Sequence, residues 1–170
     1  MARREFMAGM ALLMAVAPSL AQAKIAPSPY QPLLREVAQL VIPRSATSGA
    51  GEVGVGAFVL LALAHGLEGT KGVDHAAWLK STLGAGFLAQ PLPKRRAALA
   101  ALDARAFAGD VSAKPWLAIK RLILLGYYTS ETGGSKELQY VHVPGRWDPD
   151  LPLKPSDRAF SSDWSAVDFG

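Results

Sequence analysis

Leu33, Leu34, Val37, Leu40 and Val41 recur at steps of three and four, the spacing that gathers apolar side chains on one helical face. Pro32 suits the first turn of such a helix and Pro43 stops it, so the pattern predicts a first helix running to about Ile42. Residues 57–66 are apolar nearly all round, through Phe58, Val59, Leu60, Leu61 and Leu63, which predicts the most buried helix of the fold. Asp74 is placed to cap a third helix reaching about Phe87, with Trp78, Leu79, Thr82 and Leu83 inward. Pro91 and Pro93 break the chain again, and residues 94–107 form a fourth amphipathic segment facing inward through Leu99, Leu102 and Ala106. The fifth begins at Ser112, carries Pro115 in its first turn and a buried stripe of Trp116, Ile119, Leu122, Ile123 and Leu125, and ends near Gly126 or a turn beyond. No run of alternating residues interrupts these segments, so the expected fold is all-α: a compact bundle of about five helices followed by an extended, aromatic C-terminal segment.

Composition supports one domain. The chain has 170 residues, 50% hydrophobic and 19% charged, enough for a real core and no large second domain. Alanine and leucine dominate over β-branched residues, which favours helix. The net charge of +4 includes one tight cluster in the body of the chain, Lys94-Arg95-Arg96, which lacks stacking aromatics and reads as a solvated helix face rather than a nucleic-acid surface. Cysteine is absent, so the chain offers no attachment for a c-type haem and no thiolates for an iron–sulfur cluster, and electrons are not expected to pass through it. Gly49, Gly51, Gly54 and Gly56 follow no strand and match no phosphate-binding pattern, so they read as loop. His65, His75 and His142 fall at no metal-ligand spacing.

Residues 1–23 read as an export signal rather than as fold. Arg3-Arg4 followed by Phe6 gives the twin-arginine arrangement, residues 7–17 are apolar, and Ala21-Gln22-Ala23 offers a signal-peptidase site before Lys24. The apolar run is far shorter than the roughly 20 residues needed to span a bilayer, so no permanent membrane span is expected. An ordinary secretory signal with a coincidental Arg-Arg is the alternative. Residues 24–153 would then form the helical domain and 154–170 a polar, Pro- and Ser-containing tail that also carries Trp164 and Phe169. The location expected is the periplasm, by the twin-arginine route.

The C-terminal segment gathers Tyr127, Tyr128, Tyr140 and Trp147 with Gly126, Gly133, Gly134 and Gly145 just where the last helix ends, a run expected to be non-helical. Aromatic residues of this kind are enriched where a surface is buried against a partner. A flap closing over the chain's own helices, aromatics inward and glycines in turns, accounts for the same residues. Arg146 beside Trp147 has the composition of an interface hot spot.

The run Leu-Gly-Tyr-Tyr-Thr-Ser-Glu at residues 125–131 with Gly133, then Glu137, Leu138 and Tyr140, Val-Pro-Gly-Arg-Trp at 143–147 and Leu-Pro-Leu at 151–153, resembles the C-terminal signature of the gluconate 2-dehydrogenase subunit 3 family. Val41-Ile42-Pro43, the Gly-containing loop at 49–54 and Ala57-Phe58 fit the same family more loosely. The resemblance implies a small, non-catalytic subunit of a periplasmic FAD-dependent sugar or sugar-acid dehydrogenase. Its partner would be a large flavoprotein of the glucose-methanol-choline type that holds the FAD, with a c-type cytochrome as a further subunit. This chain would bind no cofactor or metal and would have no catalytic residue. The twin-arginine route carries folded proteins, so the signal would serve a complex: the chain would bind a flavoprotein lacking its own signal and export it. On this reading Tyr127, Tyr128, Glu131, Tyr140, Arg146 and Trp147 meet the partner, and Glu131 also accepts hydrogen bonds from the amides of Gly133 and Gly134. Two other classes remain open: a free-standing periplasmic ligand-binding helical domain, and a small enzyme using Glu131, Asp148 or Asp150.

Overall fold

Its last long helix lies at the centre of the fold. The computed structural model describes residues 28–140, 150, 152 and 154–161. Within them the chain forms helices α1 (Gln31–Val41), α2 (Val55–Ala64), α3 (His75–Leu83), α4 (Leu92–Phe107) and α5 (Pro115–Tyr128), with single 3-10 turns at Leu67–Gly69, Phe87–Ala89 and Val111–Ala113 in the connections. Helix α1 packs on α2, and α5 packs against all four of the others. The all-α bundle expected from the apolar pattern is the fold observed.

Local chemistry explains most of the boundaries. Prolines sit in the first turns of α1, α4 and α5, where a missing N–H costs nothing. Asp74 caps α3 as expected, its Oδ1 accepting from Ala77 N at 2.9 Å. Helix α3 stops at Leu83 rather than Phe87, because Gly84 takes φ 84° and ψ 151°, a conformation that cannot continue a helix. Thr82, expected inward, is exposed, while Leu79 is buried and Trp78 and Leu83 are partly covered.

Two expectations about burial are overturned. Helix α2 is not the most buried one: Val55, Gly56, Val59 and Ala62 face inward, but Leu61 is 45% exposed. It lies at the side of the bundle, so an all-round apolar sequence leaves it an uncovered outer face. Helix α5 takes the central place, burying Trp116, Ile119, Leu122, Ile123, Gly126 and Tyr127. Leu125 is outside that stripe and exposed, since it falls beyond the helical arc that runs from Leu122 to Tyr127.

A glycine in the first turn of α2 serves close packing. A Cβ on Gly56 would lie 2.7 Å from Arg35 N and 2.8 Å from Arg35 Cα, so α1 and α2 meet backbone to backbone there. Polar contacts tie the remaining helices together. Trp116 Nε1 and Lys120 Nζ both donate to Asp103 Oδ1, at 2.6 and 2.7 Å, joining α5 to α4. Arg95, expected on a solvated face, instead pairs with Glu36 and joins α4 to α1, while its neighbours Lys94 and Arg96 are exposed.

The segment after α5 is not the non-helical run expected. Helix α5 continues to Tyr128, and after a turn the chain winds through a π-helix, Thr132–Glu137. Extended backbone begins at Leu138, where β1 (Gln139–Tyr140) pairs in parallel with β2 (Phe160–Ser161), Gln139 opposite Phe160. Arg158 donates to Lys136 O at 2.8 Å and strengthens the same junction. The export-signal residues Arg3, Arg4, Phe6, Ala21 and Ala23, and also Arg146, Trp147, His142 and Asp148, lie outside the described residues.

Candidate interaction surface

Adjacent tyrosines at the end of α5 differ in burial. Tyr127 is 1% exposed, and its hydroxyl donates to Ser48 O at 3.1 Å and lies 3.2 Å from Thr47 Oγ1. Thr47 in turn hydrogen-bonds Glu137 of the π-helix. This chain of contacts fastens the loop after α1, the end of α5 and the π-helix to one another. Tyr127 was expected at the partner surface, and here the structure corrects that expectation: its ring is already covered by the chain's own core. Its edge meets the ring of Tyr128, centroids 5.2 Å apart at 81°. Tyr128 itself is 40% exposed.

Two glycines make the junction possible. A Cβ on Gly126 would come within 2.4 Å of Phe58 Cδ1, so the ring of α2 lies directly on the α5 backbone. A Cβ on Gly133 would lie 2.1 Å from Tyr127 O, so the π-helix folds back against the end of α5. Ser130 closes this turn: its Oγ donates to Tyr127 O at 2.6 Å and accepts from Gly133 N at 3.1 Å, and its carbonyl accepts from Gly134 N at 2.8 Å.

Glu131 was expected to bind those amides. Its side chain is instead 85% exposed, 3.6 Å from Lys136 Nζ, because the Ser130 hydroxyl already accepts from Gly133 N and the Ser130 carbonyl from Gly134 N. A surface pair of this kind contributes little to stability. Asp150 is likewise exposed. Tyr140 is placed on β1, at the register position opposite Ser161.

What the bundle leaves open is apolar. Arg121, Leu124, Leu125 and Tyr128 recur on α5 at steps of three and four, and all four are exposed. Phe58, near the start of α2, meets Gly126, and Glu68, just past the end of α2, shares a cleft with Leu117 and Arg121. The two helices therefore run antiparallel. Leu61 on α2 and Leu67 beyond it add to the uncovered apolar area on these two elements. Sequence reasoning missed this face because Leu124 and Leu125 look like core residues of an apolar helix. The signal that exposes them is angular: the stripe of Trp116, Ile119, Ile123 and Tyr127 puts 124, 125 and 128 to its outer side.

The clefts elsewhere are open and shallow. One of about 660 Å³ runs between α1, the glycine loop and α4, where Arg95 pairs with Glu36 and Glu52 with Arg44 at 2.7 Å, while Arg35 forms no ion pair among the described residues. This cleft lacks the enclosed apolar interior that a small-molecule pocket normally has. Among the described residues no group of three or more His, Asp and Glu is placed to hold a metal ion, and no helix is long and apolar enough to cross a membrane.

The fold defines a small helical domain with exposed apolar side chains on two packed helices, Leu61 on α2 and Leu124, Leu125 and Tyr128 on α5. The family model for gluconate 2-dehydrogenase subunit 3 matches residues 30–145, and the chain belongs to that family. Membership in a family of dehydrogenase subunits implies partner subunits. No curated protein and no solved structure matches the chain significantly.

Proposed function

We propose that this chain is the non-catalytic small subunit of a periplasmic FAD-dependent sugar or sugar-acid dehydrogenase, and that it binds the flavoprotein subunit for maturation and twin-arginine export. The family match over residues 30–145 carries the reading. The partner is a large flavoprotein of the glucose-methanol-choline type, which holds the FAD, and a c-type cytochrome takes its electrons. The uncovered face formed by Leu61, Leu124, Leu125 and Tyr128 supports the binding role, since apolar residues clustered on two packed helices are characteristic of a surface covered in an assembly. The paired arginines at Arg3 and Arg4 support the export role. Binding stabilises both subunits, because each favours the folded form of the other.

The export role is tested in a host strain lacking this chain, complemented with wild type or with Arg3→Lys/Arg4→Lys. Wild type restores dye-linked dehydrogenase activity to the periplasmic fraction, and the double variant leaves that activity in the cytoplasm. Full periplasmic activity with the double variant would overturn the carrier role.

A further inference from the structure

A second site lies at the other end of α5, where the turn Leu67–Gly69 and the start of α3 meet its first turns around a cleft of about 370 Å³. His75 lines this cleft and is 6% exposed. Its Nδ1 lies 3.0 Å from Val73 O, and because a carbonyl only accepts, Nδ1 carries the proton and Nε2 is the ring's remaining pairing atom. Nε2 has no partner among the described residues. It is not among the sealed, unpartnered atoms, so it retains some access to solvent on a residue that lines the cleft.

Lys114 and Arg121 line the same cleft against a single carboxylate, Glu68, and neither cation forms an ion pair among the described residues. The rim is apolar and uncovered: Val73 is 53% exposed and Val111 is 82% exposed. Glu68 holds φ 54°, a left-handed conformation that a non-glycine residue adopts only when its surroundings fix it. Arg121 also begins the exposed series that continues through Leu124, Leu125 and Tyr128, so the cleft is continuous with the α5 face.

We infer that this cleft receives an acidic residue with apolar neighbours from an extended segment of the flavoprotein subunit, an inference that rests on the proposed function. An extended peptide presents the three groups the cleft can pair. Its carboxylate meets Lys114 and Arg121, a backbone N–H donates to His75 Nε2, and the flanking apolar side chains cover Val73 and Val111. Charge complementarity selects the acidic residue: two unpaired cations face one carboxylate. Continuity with the α5 face selects the partner subunit over a free carboxylic acid, which would leave the valine rim in water.

The test uses the full mature chain and the flavoprotein that co-purifies with it from the native host. Affinity is measured for wild type, for Lys114→Glu/Arg121→Glu and for Leu125→Asp, at low and high salt. The substituted side chains are all exposed, so the melting temperature of the isolated chain checks that each variant folds. The charge-reversed variant is expected to bind at least about tenfold more weakly at low salt, with the difference shrinking as salt rises. Unchanged or tighter binding of that variant, with Leu125→Asp weakened, would overturn the inference and leave the proposed function standing. Failure of wild type to bind any flavoprotein would remove both.

Discussion

Tyr127 and Tyr128 are neighbours in the chain and do different work, and their separation is testable. The Tyr127 hydroxyl bonds Ser48 O inside the protein, so Tyr127→Phe is expected to destabilise the isolated chain by about 1 kcal/mol and leave partner affinity unchanged. Tyr128 is 40% exposed and rests on the Tyr127 ring, so Tyr128→Ala should weaken association by about 1–3 kcal/mol and lower monomer stability by about 0.5–1.5 kcal/mol through the lost ring contact. Chemical denaturation and a binding isotherm on each variant separate the two. The glycines of the signature are equally specific. Gly126→Ala drives a methyl into the Phe58 ring and is expected to cost about 1–3 kcal/mol in a denaturation experiment, although alanine is the better helix former. At this scale the sequence made the aromatic segment visible without showing which way each ring faces. Tyr127 and Tyr128 differ by one step of about 100° on the helix, and which side is inward depends on where the loop at Thr47 and Ser48 lies, a contact spanning 79 residues for Ser48. Glu131 was misread for a related reason, since the Ser130 hydroxyl takes the Gly133 amide and its carbonyl takes that of Gly134.

Among the elements, helix existence was legible throughout, because proline stops, caps and apolar spacing agree with one another. Relative depth was not. Helix α2 is the more uniformly apolar, yet α5 is central, because α5 touches all four other helices and α2 packs chiefly on α1 and α5. Apolarity beyond what the core can cover appears as exposed Leu61, the feature that points to a partner. The π-helix at Thr132–Glu137 was not legible, since it depends on Gly133 fitting against Tyr127 O rather than on any periodicity. Between α4 and α5, Asp110 fixes the connection. Its carboxylate accepts from Ser112 Oγ, from Arg105 Nε and from Ser112 N, which together hold its pKa down to about 2 against an ordinary 3.8. Because the folded value is depressed, its stabilising contribution is complete above the ordinary value and is lost as pH falls from about 4 through about 2. Thermal unfolding followed by circular dichroism across that range should show a steeper loss for wild type than for Asp110→Asn. Equal slopes would mean that this turn contributes nothing to acid sensitivity.

For the whole molecule, the helices and their connections build a rigid base on which one apolar face and one basic cleft are left uncovered. The core and the Tyr127–Thr47–Glu137 contacts hold α5 in place at its C-terminal end, so α5 displays its outer side as a fixed surface. A preformed surface of this kind binds without the entropic cost of ordering a segment. The central claim is that this face belongs to a flavoprotein complex, and the most direct test is a pull-down of the tagged mature chain from its native host with an absorption spectrum of the eluate. The account predicts a large protein carrying flavin bands, close to one per bait, that reduces dye with a sugar or sugar acid and is lost when the bait carries Leu125→Asp. A bait that elutes alone, colourless and monodisperse, would contradict it.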